Sequence, residues 1–122
     1  MPKILITDDD PHVLIMLSEI LMLRGFEVET ASSGEDTLDL LIDDNVYDAI
    51  VLDYKMRKMD GVRTYYRIRS MGIQCPVILI SGYDLSQYSN LVAQDPNFFT
   101  MQKPFSYFDL TDTLKNLLAV NE

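Results

Sequence analysis

Five short apolar runs occur along the chain and predict five β-strands. They are rich in Ile, Val, Leu and Phe, and they lie at residues 3–7, 26–30, 47–52, 76–80 and 98–102. Four of them are almost continuously apolar instead of alternating, which is typical of strands whose two faces are both covered in a parallel sheet. The pattern therefore predicts a buried parallel sheet.

The segments between these runs show helical spacing of their apolar residues. We predict helices from Pro11 to about Arg24, from Ser33, from Gly61 to Met71, from Leu85 to Ala93, and from Ser106 to Leu118. In the second helix, Leu38, Leu41 and Ile42 are expected to face the core. Because strands and helices alternate, the economical fold is α/β, a doubly wound five-stranded sheet with five helices.

Composition limits the functional classes to which the chain can belong. With 122 residues, 48% of them hydrophobic, the chain has the size and core of one domain, which we expect to span residues 1–122. The net charge of −9 argues against direct binding to nucleic acid or an anionic membrane. No apolar run reaches the ~20 residues of a membrane span, and Cys75 has no disulfide partner in the sequence. The expected location is the cytoplasm.

Charged or hydroxyl side chains follow four of the five predicted strands. Asp8 and Asp9 come after the first strand, Asp53 after the third, Ser81 after the fourth and Lys103 after the fifth. The ligand site of an open α/β sheet lies outside the carboxyl ends of its strands. These side chains are therefore candidates for one functional site.

Four motifs hold these residues, in the order ILITDDDP, DAIVLDYKMRKMDG, VILISGYD and QKPF. Together they closely resemble the receiver domain of two-component response regulators, and the resemblance covers essentially all 122 residues. It implies a flavodoxin-like fold with the strand order 2-1-3-4-5. In that order the first and third strands are neighbours about 4.8 Å apart, so Asp8, Asp9 and Asp53 would crowd one pocket.

By this resemblance, Asp53 is the phosphoacceptor, which takes a phosphoryl group from a sensor histidine kinase or a histidine phosphotransfer domain. Crowded carboxylates repel one another, so either some of them are protonated or a cation binds, and oxygen ligands suit Mg²⁺ (or Mn²⁺). The resemblance implies that Asp8, Asp9, Asp53 and the backbone carbonyl of Lys55 hold this ion. The protein would be a signalling switch that catalyses only its own phosphorylation and dephosphorylation, and not a metabolic enzyme.

The resemblance also implies roles for later residues. Lys103 would contact one phosphoryl oxygen, and Ser81 would donate its hydroxyl to another. Movement of Ser81 would carry its loop and helix 4 with it, which makes the face of helix 4, strand 5 and helix 5 the output surface. That face would bind a downstream protein target or a fused output domain, and it is a candidate homodimer surface. Tyr83 lies beside the phosphoryl position, and the bond before Pro104 is often cis in this family.

Two positions depart from the family pattern. Arg57 stands four residues after Asp53, where Pro is usual, and Thr100 stands three residues before Lys103, where Tyr or Phe is usual. Either the switch is carried differently or the output differs from that of an aromatic side chain. These departures leave an alternative open: a pseudo-receiver, which would have the same fold but would signal without phosphorylation.

Two other classes fit the motifs poorly. A phosphohydrolase of the haloacid dehalogenase type would have its nucleophile in an early Asp-x-Asp motif and an acidic pair late in the chain, whereas here the acidic pair comes first. A nucleotide-binding domain would need a glycine-rich first turn, and TDDDPH contains no glycine.

Overall fold

The computed structural model of the chain describes residues 1–118. Within them, five strands alternate with five α-helices: β1 Lys3–Thr7, α1 Pro11–Leu23, β2 Glu27–Ala31, α2 Gly34–Ile42, β3 Ala49–Asp53, α3 Gly61–Ser70, β4 Val77–Ser81, α4 Ser89–Gln94, β5 Phe98–Gln102 and α5 Tyr107–Leu118. The predicted fold class is confirmed. Residues 119–122 of the predicted domain lie outside the described residues.

The strands form one parallel sheet in the order β2-β1-β3-β4-β5. This is the flavodoxin-like order that the resemblance implied. Thr7 at the end of β1 aligns with Leu52 of β3, so the residues that follow leave the sheet side by side. β3 and β4 are buried along their whole length, as their continuous apolar runs predicted.

Two apolar clusters cover the two faces of the sheet. One contains Leu52 and Leu79 with side chains from α2 and α3, and the other contains Val51 and Ile80 with side chains from α1 and α5. Alternate residues of each strand therefore serve opposite cores. Each fully buried aliphatic side chain contributes about 1.5–3 kcal/mol of transfer free energy, so the sheet is a rigid base for the loops at its carboxyl edge.

The inward orientation predicted for Ile42 is wrong, because its side chain is 65% exposed. The buried residues of α2 are Gly34, Thr37, Leu38 and Leu41. They form a stripe with i, i+3 and i+4 spacing, and one step beyond Leu41 rotates a side chain by about 100° out of that stripe. Apolar character alone did not distinguish the two neighbouring positions.

The fourth helix begins later than predicted. Ser86–Tyr88 form a 3₁₀ turn, and only then does the α-helix Ser89–Gln94 begin. No side chain caps the start of this α-helix. The 3₁₀ turn in front of it supplies backbone hydrogen bonds there instead. None of the residues of α4 is buried. Few buried contacts hold α4, which places it among the elements that open or shift most easily.

Candidate functional site

Three carboxylates meet at the carboxyl edge of β1 and β3. Asp8 directly follows β1 and is 5% exposed, and Asp53 ends β3 and is 8% exposed. Asp9 is exposed to solvent. One carboxylate oxygen of each residue lies within 4.8 Å of the other two. The structure thus brings together the acidic side chains that the sequence placed after these two strands.

Burial raises the pKa of the two inner carboxyls. Burial is the main reason why the pKa of Asp8 rises from 3.8 to about 6. The backbone N–H of Asp10 donates to Asp8 Oδ1 at 2.9 Å and lowers this pKa, whereas the charge of Asp53 raises it. Burial also raises the pKa of Asp53, while Lys103 lowers it. Like charges held this close favour a proton or a cation between them. Their oxygen donors fit Mg²⁺ or Mn²⁺.

A cavity of about 430 Å³ opens over the carboxylates. Its lining comprises Asp8, Asp9, Asp10, Val13, Asp53, Lys55, Ser81, Gly82, Tyr83 and Lys103. It therefore collects every residue that the sequence analysis placed at a strand end, together with Lys55 and Tyr83. Its polar walls suit a small anion and a hydrated cation better than a large organic cofactor.

Lys103 reaches the carboxylates from two strands away. Its backbone N–H donates to the carbonyl of Ser81 at 2.7 Å, which holds the end of β5 against β4. Its Nζ lies 3.0 Å from Asp53 Oδ1. Because 42% of the Lys103 side chain is exposed, the ammonium can shift toward another oxygen without disturbing the core. The bond between Lys103 and Pro104 is cis, and Pro104 lines an adjoining recess of about 320 Å³.

Ser81 connects the cavity to a cluster of aromatic rings. Its buried Oγ accepts a hydrogen bond from the backbone N–H of Tyr83 at 2.9 Å. The ring of Tyr83 packs edge-on against Tyr54, and Tyr54 packs against Tyr88, each with 6.2 Å between ring centroids. Burial, and then a hydrogen bond with Tyr54, raise the pKa of Tyr88 to about 12. The rings thus connect the residue after Asp53 to the turn before α4.

Three further positions complete the comparison with the sequence. Thr100 is half-buried on β5, aligned with Leu79, and does not line the cavity. Sequence reasoning missed Tyr54 and Tyr88. The position of Tyr54 directly after Asp53 was an available signal, whereas Tyr88 carried none, because only the fold brings its ring to that of Tyr54.

Comparison with known proteins identifies the family to which this fold belongs. The sequence model of the response regulator receiver domain matches residues 4–115. The chain belongs to the response regulator receiver domain family. The receiver domain is 38% identical over 118 residues to the regulatory protein AtoC of Escherichia coli, a match that covers 97% of this chain and 25% of AtoC. It is 35% identical over 120 residues to the transcriptional regulatory protein CpxR of Escherichia coli, with coverage of 97% and 50%.

A solved structure is similar over nearly the whole receiver domain. The response regulator protein TrrA from Thermotoga maritima, in complex with Mg²⁺-BeF, is 30% identical with a TM-score of 0.81, and the match covers 96% of this chain and 99% of TrrA. By contrast, the chain spans only 25% of the length of AtoC and 50% of the length of CpxR. Across residues 1–118, the helices are too short or too polar for a bilayer span.

The raised pKa of Asp8 predicts a pH-dependent cost to folding. With a pKa near 3.8 unfolded and about 6 folded, the folded state binds more protons between these values, so this group lowers stability as the pH rises through that window. Asp8→Asn should therefore raise the free energy of unfolding by about 2 to 3 kcal/mol near pH 7.5 without Mg²⁺. The gain should nearly disappear near pH 4. Urea denaturation at the two pH values measures it.

The matched control for this prediction is Asp39→Asn, which removes an exposed carboxylate from α2. It should change stability little at either pH. An equal gain in both variants would mean that net charge, and not the buried cluster, sets the effect.

Proposed function

We propose that this receiver domain accepts a phosphoryl group on Asp53 in a reaction that depends on Mg²⁺ or Mn²⁺. The observation that supports this best is the placement of the Asp53 carboxylate, beside two further carboxylates on one side and 3.0 Å from Lys103 Nζ on the other. A metal ion held by Asp8, Asp9, Asp53 and the carbonyl of Lys55 would supply charge neutralisation for the carboxylate and the phosphoryl oxygens.

The donor in this proposal is a phosphohistidine of a sensor histidine kinase or a histidine phosphotransfer domain. An oxygen of Asp53 attacks phosphorus, the P–N bond breaks, and its electron pair returns to the imidazole. The ammonium of Lys103 then pairs with a phosphoryl oxygen, and Ser81 donates its hydroxyl to another. Attack of water on phosphorus breaks the P–O bond to Asp53, releases inorganic phosphate and restores the carboxylate. In this proposal the domain catalyses only its own phosphorylation and dephosphorylation. In this role residues 1–122 act as one domain.

The switch follows from the bonds that Ser81 must change. To move toward a phosphoryl group, its Oγ gives up the hydrogen bond from the Tyr83 N–H. Tyr83 shares ring contacts with Tyr54, and Tyr54 with Tyr88, so a displaced loop would alter the turn that precedes α4. α4 has no buried residue to resist this movement.

The output surface in this proposal is the face formed by α4, β5 and α5. On β5 this face carries the half-buried Thr100, so its signal does not depend on an aromatic side chain at that position. The face would bind a downstream protein target or a fused output domain, or a second receiver domain as a homodimer. The proposed compartment is the cytoplasm, where Cys75 would stay reduced.

Phosphoryl uptake is the test of this function. Intact-mass spectrometry after incubation with acetyl phosphate should show a gain of one phosphoryl mass with Mg²⁺, and no gain when EDTA removes the metal. The complex of the related TrrA with Mg²⁺-BeF supports this expectation. No gain under any condition, in protein shown by circular dichroism to be folded, would replace the proposal by a pseudo-receiver that signals through binding alone.

Amide exchange should report the switch. With Mg²⁺ and beryllofluoride as the phosphoryl mimic, we expect altered protection over residues 81–101, because the Ser81 loop and α4 move together. In Ser81→Ala the hydroxyl is absent, so the change beyond the loop should be much smaller. Hydrogen-exchange mass spectrometry measures both. Unchanged protection in the native chain, with the mimic shown to be bound, would contradict this switch.

A further inference from the structure

Half of the basic side chains of this acidic protein lie in one region and make no ion pair with any residue from 1 to 118. The sequence has ten Lys and Arg residues and a net charge of −9. Ion pairs involve Lys3, Arg24, Arg69 and Lys103, and Lys115 also makes an interaction. Over the described part of the chain, the basic residues without an ion pair are Lys55, Arg57, Lys58, Arg63 and Arg67. We call these five residues the basic surface.

The basic surface runs from the edge of the cavity to α3. Its first three residues are exposed in the loop between β3 and α3, and Arg63 and Arg67 are exposed one turn apart on α3. Between positions 54 and 83 the sole acidic residue is Asp60. Its carboxylate caps α3 by accepting a hydrogen bond from the Arg63 N–H at 2.8 Å. The positive charge of this region therefore remains available to a partner.

A groove of about 270 Å³ lies at the α3 end of the basic surface. It is lined by Met59, Arg63, Tyr66 and Arg67, and the Tyr66 side chain is 56% exposed. Arg, Tyr and Met are the residue types enriched at the centres of protein interfaces. Arg63 and Arg67 stand at i and i+4, where like charges weaken a helix, so their spacing does not serve the stability of α3.

We propose that the basic surface binds an acidic segment of a partner protein, which inserts a large apolar side chain between Met59 and Tyr66. Opposite charge would speed association and select the partner, and the groove would supply the central anchor. This binding is separate from phosphoryl transfer, because it requires neither Asp53 nor a metal ion.

Two other occupants fit the basic surface less well. The acidic residues of α2 lie on the helix that packs beside α3, so self-association through these two helices would be heterologous and would leave a free surface at each end. Nucleic acid would meet a chain of net charge −9 whose carboxylate cavity begins at Lys55.

The probe for this test is a synthetic Glu-rich peptide of about 16 residues with one central Trp. Titrated into the ¹⁵N-labelled full chain, it should shift amide resonances of residues 55–67, and raising NaCl from about 50 to about 300 mM should weaken binding. A peptide with Ser in place of Trp should bind at least about fivefold more weakly. Equal affinity of the two peptides would remove the groove from the proposal.

Two double variants of equal net charge separate local from bulk electrostatics. Arg63→Gln/Arg67→Gln should weaken the peptide at least about tenfold. Gln87→Glu/Asn116→Glu changes exposed residues elsewhere to the same net charge and should leave affinity within about twofold. Equal losses in both, or shifts away from residues 55–67, would overturn the proposal. Tighter binding of duplex DNA at these residues, or self-association through them in sedimentation, would overturn it in favour of the other occupants.

Discussion

Asp53→Asn is expected to abolish phosphoryl uptake from acetyl phosphate. The amide keeps the volume of the carboxyl and can still accept a hydrogen bond from Lys103, but its oxygen is too weak a nucleophile for phosphorus. The fold should therefore persist while the chemistry is lost. Intact-mass spectrometry with Mg²⁺ and acetyl phosphate measures the uptake, and thermal denaturation verifies the fold.

Asp39→Asn is the matched control for this loss, because it makes the same chemical change on the exposed side of α2. It should take up one phosphoryl group like the native chain. Undiminished uptake by Asp53→Asn would assign the phosphoryl group to another residue, and peptide mapping would then locate it.

Gly61→Ala should cost about 3 kcal/mol of unfolding free energy, at the upper end of what overpacking usually costs. A Cβ at Gly61 would lie 2.5 Å from the Asp53 carbonyl oxygen, 2.7 Å from Leu79 Cδ1 and 3.0 Å from Tyr54 Cα. Two of these atoms belong to the backbone and cannot rotate away. The N–H of Gly61 also donates to the Tyr54 carbonyl at 2.8 Å, so relief of the clash would disturb the loop that follows Asp53.

Urea denaturation and the rate of phosphoryl uptake should both report this substitution. Gly82→Ala is the matched stability control, because its Cβ would meet no atom within 4 Å. Its unfolding free energy should stay within about 0.5 kcal/mol of the native value. Comparable losses in both variants would show that the contact of the new Cβ with the Asp53 carbonyl does not explain the effect.

The candidate site was largely predictable because its residues follow continuous apolar strands. Asp8, Asp53 and Ser81 each stand at the end of such a run, and parallel strands deliver their carboxyl ends to one edge. Periodicity did not supply the strand order, which came from the family resemblance. That order decides which strand ends are neighbours, and hence that Asp8 meets Asp53.

The local sequence pattern predicted burial less well where burial depends on a neighbour that is distant in sequence. Ile42 is as apolar as Leu41, yet only Leu41 faces the core. The start of α4 also escaped prediction, because a helix without a capping side chain leaves no mark at its first residue.

The alternation of strands and helices, the acidic charge and the residues that follow each strand can all be read from the chain, because they depend on local spacing and composition. Long-range packing was needed to show that Lys103 pairs with Asp53, that Gly61 lies against the Asp53 carbonyl and that Tyr54 contacts both Tyr83 and Tyr88. Packing also sets which basic side chains make no ion pair within residues 1–118. Such contacts join residues far apart in the chain, and their distances exist only once the sheet order has fixed where each loop lies.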